Sequence, residues 1–419
     1  MSDLLAELEW RGFVHHATRD LAAHLAGGRR TLYCGFDPTA PSLQLGNLMP
    51  IMLLRHFQLA GHRPIALMGG GTGLIGDPSG KPGERPLLSK EQIRDNVQRI
   101  RVQMQRLLDF DTPETRGEVP DNADWLVKQT LVDFLRDIGK HFGVNIMLQK
   151  ESVQARLDTG ISYTEFSYML LQAYDFLHLF RAKHCTIQVG GSDQWGNITA
   201  GIDLIRRVEG GEAHGLVAPL VTTTSGAKFG KTEAGAIYLD PALTSPYKFY
   251  QFWVNTDDRN VDRYLKLFSL KPRDDLKELL HRAKEDPSKR EAQRVLAAEV
   301  TERIHGEAAR NAMVASEILF GDFDPRAANG RVFDTLAHEI PTTTVSSRDA
   351  LTLIDAVVRC GLAKSKSEAR RAVEQGGIYL NQQRIKDVEH TIAASEWLAD
   401  QNLLLRKGKK DYALLRLER

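Results

Sequence analysis

The sequence predicts an α/β protein: a domain built on a parallel sheet, then an α-helical domain, then a small α+β domain. From residue 29, short apolar runs such as RRTLYCGF, RPIALMGG and TIQVGG alternate with longer helical patterns. Residues 246–320 show apolar positions at helical spacing. After residue 350, two short helical patterns precede a Gly376-Gly377 turn and an IYL strand. Each pattern is typical of one of the three predicted domains.

The predicted boundaries lie where these patterns change. The parallel-sheet domain covers 1–225, with an insertion around 110–180. A glycine-containing loop and the helical domain cover 226–320. Residues 321–349 are rich in Gly, Pro, Ala and Thr, with PTTTVSS as the clearest stretch, and we interpret them as a linker. The α+β module covers 350–419.

Composition is that of an ordinary globular protein, with 419 residues, 42% hydrophobic and 26% charged. No run approaches eighteen uncharged apolar residues, and the N-terminus MSDLLAELEWRGF lacks the basic start and apolar core of a signal peptide. We therefore expect a cytoplasmic protein. Cys34, Cys185 and Cys360 lie far apart and make no CxxC or Cys/His spacing, so they support neither a disulfide framework nor a structural zinc site.

Charge is spread unevenly along the chain, although the net value is only +1. Residues 351–419 contain 13 Lys and Arg against 9 Asp and Glu, which leaves the first 350 residues at about −3. Only the C-terminal module leans towards nucleic acid as a partner.

The first chemical motif is CGFDPTAPSLQLGNLMPIMLLRHFQ, in which a strand is predicted to end at Phe36 and a helix to begin near Asn47. Helix N-termini present unpaired N–H groups and partial positive charge to anions, and glycine permits close backbone approach. The segment therefore suits a phosphate. An ordinary strand-to-helix connection explains the same pattern without a ligand.

The second motif, ALMGGGTGLIGDPSGKPGER, carries six glycines between Gly69 and Gly80. That density exceeds what a turn needs and indicates close approach of the backbone to a ligand. The spacing is neither that of a Walker loop nor that of a dinucleotide fingerprint.

Two further motifs lie on the predicted sheet and helices. In ISYTEFSYMLLQAYDFLHL, residues Tyr168, Gln172 and Asp175 fall on one helical face, which is also the pattern of a surface face with an aromatic anchor. An acid there could accept the proton of a phenol, and Tyr33 could donate to the same oxygen. In TIQVGGSDQWGNITAG, Asp193 suits a ribose hydroxyl or, equally, a helix cap.

The last motif of the first 240 residues is KFGKT, with Lys228 and Lys231 three apart beside a glycine. Lysines in a polar loop are most often simply solvated. Mobile ammonium groups can, however, close onto an anionic ligand.

Taken in this order, the motifs closely resemble those of the bacterial-type tyrosyl-tRNA synthetases, which are class I aminoacyl-tRNA synthetases, over residues 30–419. The resemblance implies a Rossmann-type catalytic domain. QLGN stands where class I enzymes carry HIGH, so Gln44 and Asn47 replace both imidazoles while Gly46 is retained. Carboxamides can still donate hydrogen bonds to phosphate oxygens. GLIGDPSGK and KFGKT match the family's segments directly.

The resemblance also implies the site residues. Tyr33 and Asp175 would read the hydroxyl of tyrosine, and Asp77 would hold its α-ammonium. Gln188 and Gln194 would line the amino-acid side of the pocket with Tyr168 and Gln172. The residues implied for ATP are Gly35, Asp37, Thr39, Gly46, Gly191, Asp193 and Lys231; those implied for catalysis are Gln44, Asn47, Lys81, Arg85, Lys228 and Lys231.

The C-terminal segment GLAKSKSEARRAVEQGGIYLN resembles the RNA-binding module of the S-four or alpha-L type. Clustered cations of this kind bind phosphates and recognise RNA shape. A solvated basic helix face is the alternative. The implied RNA-binding residues are Lys364, Lys366, Arg370, Arg371, Arg406, Lys407, Lys409 and Lys410.

The expected activity is ligation of tyrosine to its tRNA through tyrosyl-adenylate, with ATP as a substrate accompanied by Mg²⁺ and no tightly bound cofactor. A homodimer joined through the 110–180 region is expected from the family. Three alternatives stay open from the sequence: the tryptophanyl relative, another adenylyltransferase, and an RNA-binding or splicing factor that kept the fold but lost catalysis.

Overall fold

The structure is a computed structural model that describes residues 4–79, 87–154, 156–158, 160–222, 229–232, 235–347 and 351–418. Its strands are β1 (His16–Ala17), β2 (Thr31–Phe36), β3 (Arg63–Met68), β4 (Cys185–Gly191), β5 (His214–Ala218), β6 (Lys231–Thr232), β7 (Gly235–Ala236), β8 (Thr342–Val345), β9 (Ile378–Leu380), β10 (Gln383–Arg384), β11 (Asn402–Lys407) and β12 (Asp411–Leu417).

The α-helices alternate with these strands in the first half of the chain and dominate the middle. They are α1 (Leu4–Arg11), α2 (Leu21–Ala26), α3 (Leu48–Leu59), α4 (Lys90–Met104), α5 (Ala123–Leu126), α6 (Leu131–Asp137), α7 (Val144–Leu148), α8 (Glu151–Gln154), α9 (Tyr163–Lys183), α10 (Trp195–Glu209), α11 (Pro246–Val254), α12 (Asp258–Phe268), α13 (Arg273–Glu285), α14 (Glu291–His305), α15 (Glu307–Phe320), α16 (Gly330–Glu339), α17 (Leu353–Arg359) and α18 (Lys366–Glu374).

The chain divides into two compact units. The first contains Met1–Thr244 and Thr256–Leu296, and the second contains Ser245–Asn255 and Ala297–Arg419. The helical stretch predicted as one domain over 246–320 is therefore shared between the units, because helical periodicity shows that a segment buries one face but not which core receives it. No helix in the described ranges is long and apolar enough to cross a membrane.

The first unit is built on a five-stranded sheet in the order β1-β5-β4-β2-β3. Strands β2, β3, β4 and β5 are parallel, and β1 joins the edge antiparallel to β5. The α/β prediction is confirmed. The chain moves from β2 to β3 on one side and returns to β4 on the other, so the strand order switches direction between β2 and β4. Ligands of such sheets bind at the carboxyl ends of the strands at this point.

Helix α9 lies over the sheet and carries the face that the sequence singled out. Ser162 caps it by accepting from the Glu165 N–H, and it ends at His184, which adopts a left-handed φ of 50°. Its inner side chains, including Met169, Phe176 and Leu177, are buried with Tyr33 of β2 and with α10 in one core. This packing fixes the height at which Asp175 meets the sheet.

The second unit contains a sheet in the order β10-β9-β11-β12-β8. Strand β8 pairs parallel to β12, and the other pairs are antiparallel. Helices α17 and α18 contribute Leu353, Val357 and Val373 to its core. The α+β prediction for the last segment is confirmed.

The segment 321–349 differs from its interpretation as a linker, because it contains both α16 and β8. Helix α16 buries Val332, Phe333 and Leu336 along one face. The TTTV strand pairs with β12 through backbone hydrogen bonds. Its threonine side chains give no hydrophobic pattern from which a strand could be predicted. The Gly, Pro and Thr content masked two regular elements.

Candidate active site

A cavity of about 590 Å³ opens at the carboxyl ends of β2 and β4 in the first unit. Its volume is in the range of small-molecule sites. Every described residue that the sequence implicated in substrate binding, ATP binding or catalysis lines it, namely Tyr33, Gly35, Asp37, Thr39, Gln44, Gly46, Asn47, Asp77, Tyr168, Gln172, Asp175, Gln188, Gly191, Asp193, Gln194 and Lys231. A more open cavity of about 800 Å³ beside Arg63, Arg101 and Arg116 contains none of them.

The innermost polar groups of the cavity are Tyr33, Gln188 and Asp175, which are 1%, 2% and 2% exposed. Tyr33 and Gln188 are partners in the β2–β4 register. Neither the hydroxyl of Tyr33 nor Oε1 of Gln188 has a hydrogen-bond partner among the described residues. Buried polar atoms of this kind are rare unless something satisfies them, so the pair indicates a polar ligand group.

The carboxylate of Asp175 is held from behind by two donors. Nδ2 of Asn122 donates to Oδ2 at 2.8 Å, and Nε1 of Trp125 donates to Oδ1 at 2.7 Å. Burial raises the pKa of Asp175 to about 8, while these two hydrogen bonds act in the opposite direction. Burial and then the charge of Asp175 raise the pKa of Tyr33 well above its ordinary value, so the phenol stays a donor.

Asn122 joins the glycine-rich segment to Asp175. Its Oδ1 accepts from the Gly71 N–H at 2.7 Å, and its Nδ2 also donates to Oγ1 of Thr72 at 2.9 Å. Gly70 meets Asp121 in the same way, since its N–H donates to Oδ1 at 3.0 Å and a Cβ at residue 70 would overlap that carboxylate. The glycines here admit acidic and amide side chains close to the backbone.

A second polar cluster lies around Asp77, which is 8% exposed. Its Oδ2 accepts from Nε2 of Gln194 at 2.7 Å, and its Oδ1 accepts from the Ser79 N–H at 2.9 Å. Gln172 donates to Oε1 of Gln194 at 3.2 Å, and Asn197 donates to both glutamines. Three side chains and one backbone N–H thus fix one carboxylate at the cavity wall.

Asp37 forms the third carboxylate position, directly after β2. Tyr168 donates to Oδ2 at 3.0 Å and Thr72 to Oδ1 at 2.9 Å. A Cβ at Gly69 would overlap this carboxylate. The close approach explains why glycine begins the loop after β3.

The two signature segments meet at the mouth of the cavity. Asn47 Oδ1 accepts from the Gln44 N–H at 2.9 Å, which closes the 3₁₀ turn Leu45–Asn47 that precedes α3. Gln44 forms a bridge with Tyr238, and the Leu45 N–H donates to the Ile237 carbonyl at 2.9 Å. QLGN and the segment after KFGKT therefore share backbone hydrogen bonds.

Within KFGKT, Phe229 stacks on Phe268 with ring centroids 5.2 Å apart. Gly230 has a φ of +77°, and a Cβ there would lie 2.8 Å from Cβ of Leu45. The loop is thus seated on the QLGN turn where the described chain resumes. Lys228 lies outside the described residues, as do Lys81 and Arg85.

Asp193 sits in the 3₁₀ turn Ser192–Gln194 after β4. The N-cap of that turn is Gly191, the N-cap of α10 is Gln194, and neither cap uses a side chain. The capping alternative for Asp193 is therefore not what the structure shows. Asp193 and Gly191 both line the cavity.

Charge in the described lining is dominated by acids. Asp37, Asp77, Asp175 and Asp193 face the cavity against Lys231. Acceptors at the inner end suit an ammonium and a phenol, whereas a polyphosphate needs cations. Further positive charge must come from outside the described lining or from a metal ion that accompanies the ligand.

The cations predicted for RNA binding lie in the second unit. Lys364, Lys366, Arg370, Arg371, Lys409 and Lys410 are exposed. Arg406 and Lys407 differ, because both are partly buried by intramolecular contacts: Arg406 lies 4.0 Å from the ring centroid of Tyr379, and Lys407 donates to Glu368 at 2.7 Å. These two also stabilise the α+β module itself.

Sequence reasoning missed Asn122, Trp125, Thr72 and Asn197, which hold the predicted residues in place. Asn122 and Trp125 contact Asp175 across 53 and 50 positions of the chain. Neither lies in a glycine-rich turn or on a periodic face, so no local pattern marks them.

Comparison with known proteins follows the same division of the chain. A family model described as "tRNA synthetases class I (W and Y)" matches residues 26–321, and one described as "Tyrosine--tRNA ligase SYY-like C-terminal domain" matches residues 333–415. Together the two matched ranges include the residues that line the cavity and most of the C-terminal α+β module.

Two relatives match the chain over essentially its whole length. The tyrosine–tRNA ligase of Anaeromyxobacter dehalogenans is 53% identical over 420 residues, covering 100% of both chains. That of Geobacillus stearothermophilus is 49% identical over 418 residues, covering 99% of each.

Solved structures show the same fold. A C-terminally truncated mitochondrial tyrosyl-tRNA synthetase of Aspergillus nidulans superposes with a TM-score of 0.70 at 31% identity, covering 76% of this chain and 95% of that one. A tryptophanyl-tRNA synthetase of Encephalitozoon cuniculi gives 0.54 at 16% identity, covering 76% and 91%, which shows a shared fold alone.

Proposed function

The chain belongs to the class I tyrosyl-tRNA synthetases and is a tyrosine–tRNA ligase, and from that premise we propose which of its residues perform each step. Full-length similarity to tyrosine–tRNA ligases leaves the catalytically inactive RNA-binding alternative without support. The tryptophanyl alternative is supported only by a shared fold.

The reaction has two steps. The carboxylate of tyrosine attacks the α-phosphorus of ATP, the bond to pyrophosphate breaks, and tyrosyl-adenylate forms. The terminal ribose hydroxyl of the tRNA then attacks the tyrosyl carbonyl, and AMP leaves. No covalent enzyme nucleophile is needed, so the protein acts by aligning two anionic reactants and by stabilising the charge of the transition state.

Specificity for tyrosine resides in Tyr33, Asp175 and Gln188. The single observation that carries this assignment is the unpartnered Tyr33 hydroxyl at the cavity floor, within the field of a carboxylate fixed by Asn122 and Trp125. A phenol hydroxyl placed there can accept from Tyr33 and donate to Asp175. Phenylalanine would leave these groups unpaired. The free-energy cost of buried unpaired groups is the general reason why such a site rejects an analogue that lacks the hydroxyl.

The α-ammonium of tyrosine is assigned to the Asp77 cluster. Asp77 supplies the charge, while Tyr168, Gln172 and Gln194 supply oxygens on the same wall. Because Gln194 and Ser79 already fix both oxygens of Asp77, the carboxylate is oriented before substrate arrives.

ATP is assigned to the mouth of the cavity, with the ribose at Gly191 and Asp193 and the phosphates at the QLGN turn and KFGKT. The adenine side is assigned to Gly35, Asp37, Thr39 and Gly46. Amide groups of Gln44 and Asn47 would donate to phosphate oxygens. Lys231, with Lys228, Lys81 and Arg85, would follow the leaving pyrophosphate. Mg²⁺ arrives on the nucleotide, whose phosphates supply most of its ligands.

The tRNA is assigned to the exposed cations of the second unit, Lys364, Lys366, Arg370, Arg371, Lys409 and Lys410. Arg406 and Lys407 take a smaller part because their side chains are partly buried within the module. A ligase that serves translation acts where its tRNA is, so we place the protein in the cytoplasm. We assign catalysis to residues 1–225 and RNA binding to residues 350–419.

A homodimer is proposed through the 110–180 region. Most large apolar side chains that are exposed in the described residues fall there, among them Leu131, Val132 and Tyr163 at 71–74%. Clusters of this kind mark protein interfaces. Light scattering should give twice 46.9 kDa for the wild type, and Leu131→Arg with Val132→Lys should shift it to the monomer. Leu59→Lys, outside the cluster, is the control, and a wild-type monomer would refute the proposal.

The experiment for the proposed site is tyrosine-dependent exchange of labelled pyrophosphate into ATP, without tRNA and with phenylalanine and tryptophan as controls. Tyrosine alone should support exchange. Asp175→Ala should abolish it, while Asp109→Ala, on a loop that does not line the cavity, should leave it intact. Exchange by Asp175→Ala at a near-normal KM for tyrosine would overturn the pocket assignment.

A further inference from the structure

Two histidines and a glutamate converge outside the active-site cavity, at the β1–β5 edge of the first unit. His24 lies on α2, Glu212 precedes β5, and His214 is the first residue of β5. One ring nitrogen of each histidine and one carboxylate oxygen of Glu212 all lie within 4.8 Å of one another. Nε2 of His214 lies 3.7 Å from Oε1 of Glu212. None of the three lines the active-site cavity.

Two threonine hydroxyls hold the imidazole rings. Oγ1 of Thr186 lies 2.8 Å from Nε2 of His24, and Oγ1 of Thr18 lies 3.2 Å from Nδ1 of His214. The ring centroids are 4.3 Å apart. A hydrogen bond to one ring nitrogen fixes the tautomer and aims the other, as around protein-bound metals.

The second observation is an unsatisfied nitrogen. His214 is 3% exposed, and its Nε2 has no hydrogen-bond partner among the described residues. Glu212 is the nearest acid, at a distance beyond a hydrogen bond. A buried imidazole nitrogen left unsatisfied is costly, and a metal ion at this position would use its lone pair.

The electrostatic surroundings agree with neutral imidazoles. Burial, then His214 and Arg30, lower the pKa of His24 to about 4, and burial lowers the pKa of His214 against the opposing charges of Glu212 and Asp20. Neutral imidazole is the form that binds a metal ion. Arg30 opposes a bound cation, and Glu212 and Asp20 offset it.

We propose that His24, Glu212 and His214 form a binding site for a divalent transition-metal ion of the Zn²⁺ type, with water completing the coordination. Two imidazoles and one carboxylate are a ligand set that such ions use, whereas Mg²⁺ prefers oxygens. Tetrahedral coordination at about 2.0–2.2 Å separates ligand atoms by roughly 3.3 Å. Glu212 is 72% exposed, so its side chain is free to close the remaining gap.

The site would join α2 to the start of β5 and so tie the segment before β2 to the sheet edge. Its effect is on the stability of that edge and not on the chemistry of ligation. Binding to the folded chain alone raises the unfolding midpoint in proportion to the logarithm of metal concentration over Kd.

The test uses the untagged full-length protein after removal of metal by a chelator, with Zn²⁺ titrated calorimetrically and Co²⁺ followed by its visible absorption. One ion per chain is expected, with a Kd in the micromolar range or tighter and no heat from Mg²⁺ at the same concentration. Zn²⁺ should also raise the unfolding midpoint.

His24→Gln keeps a donor for Thr186 and should weaken Zn²⁺ binding at least tenfold, with loss of the Co²⁺ bands. Glu212→Gln, at an exposed position, should weaken Zn²⁺ binding several-fold. His281→Gln removes half of an exposed pair, in which Nδ1 lies 3.6 Å from Glu285, and should change nothing. Absence of binding by the wild type, or equal binding by wild type, His24→Gln and Glu212→Gln, would overturn the site.

Discussion

Tyr33 and Gln188 face each other in register across the parallel strands β2 and β4, and each ends in a buried polar atom without a partner among the described residues. Leaving a buried polar atom unpaired costs about 1–3 kcal/mol. The ligand-free strand pair therefore carries a free-energy cost, which a ligand that hydrogen-bonds to these two atoms would remove. This places the selection of the substrate in the sheet itself and not in a mobile loop.

Tyr33→Phe should lower kcat/KM for tyrosine in pyrophosphate exchange by about 2- to 10-fold, the equivalent of one neutral hydrogen bond of about 0.5–1.5 kcal/mol. The value for phenylalanine should not fall, so discrimination narrows. The melting temperature should hold or rise, because the free protein loses no hydrogen bond of this hydroxyl. Tyr174→Phe is the control: Gln129 donates to that hydroxyl at 2.9 Å outside the cavity, so stability should fall and discrimination should not.

Asn122→Ala should reduce both stability and tyrosine activation. It removes the acceptor of the Gly71 N–H and a donor to Asp175 and to Thr72, all of them buried. Each unsatisfied group costs about 1–3 kcal/mol, so we expect a loss of several kcal/mol in urea unfolding and at least a tenfold rise in KM for tyrosine. Asn145→Ala, on an exposed position, is the control. An unchanged KM would show that Asp175 keeps its place without Asn122.

The sequence predicted the residues of the cavity wall better than the residues behind them. Tyr33 lies within an apolar run and Asp77 within a glycine-rich turn, and both are local signals. Asn122 and Trp125 act on Asp175 from 50 or more positions away, and side-chain hydrogen bonds leave no periodic trace in a chain. The metal-site proposal has the same origin, since His24 and Glu212 meet only after the sheet forms.

Strands whose side chains are buried on both faces could be predicted from the sequence. A strand that is held mainly by backbone hydrogen bonds to its neighbour could not. β2 and β4 are apolar runs because a parallel strand is covered on both faces. β8 is a TTTV segment whose first three residues keep exposed or half-exposed side chains, so its pairing with β12 could not be read from composition.

Asp175 should make the stability of the protein fall as pH rises. Burial raises its pKa to about 8 from an ordinary 3.8, so between these values the folded protein holds a proton that the unfolded chain has lost. Stability then decreases by up to about 1.4 kcal/mol per pH unit across this window. Asp175→Asn removes the term, and its urea midpoint relative to wild type should rise from pH 5 to pH 7.

The control for that pH series is Asp109→Asn. Hydrogen bonds from Thr112 and from the Asp111 N–H lower the pKa of Asp109 to about 2, so it holds no extra proton above pH 5. Its midpoint should run parallel to wild type over the same range. If Asp175→Asn also ran parallel, Asp175 would be ionised in the folded protein throughout.

Because Gln44 and Asn47 do not titrate, the QLGN turn should contribute no histidine-like ionisation to the pH dependence of tyrosine activation. The double change Gln44→His and Asn47→His introduces imidazoles with an ordinary pKa near 6.5 beside the proposed phosphate position. Charged hydrogen bonds exceed neutral ones by about 1 kcal/mol, so the exchange rate of the variant relative to wild type should be about fivefold higher below pH 6 than above pH 7.5. Titration of Asp175 is common to both proteins and cancels in the ratio, so a flat ratio would contradict the prediction.

Gly230→Ala should impair activation through the contact between KFGKT and the QLGN turn. A Cβ at residue 230 would lie 2.8 Å from Cβ of Leu45, and the φ of +77° already disfavours any side chain. The loop must shift to accommodate the methyl group, and displacement of catalytic groups by about 1 Å can cost on the order of 10²-fold in rate. We expect kcat for exchange to fall far more than KM for tyrosine rises, since Asp77 and Asp175 lie at the other end of the cavity.

Gly235→Ala separates the steric clash from the backbone strain. The φ of Gly235 is +113° and nothing lies within 4 Å of a Cβ at this position, so the variant carries the backbone strain without the clash. Equal losses in both variants would assign the effect to backbone strain and not to the contact between Gly230 and Leu45 of the QLGN turn.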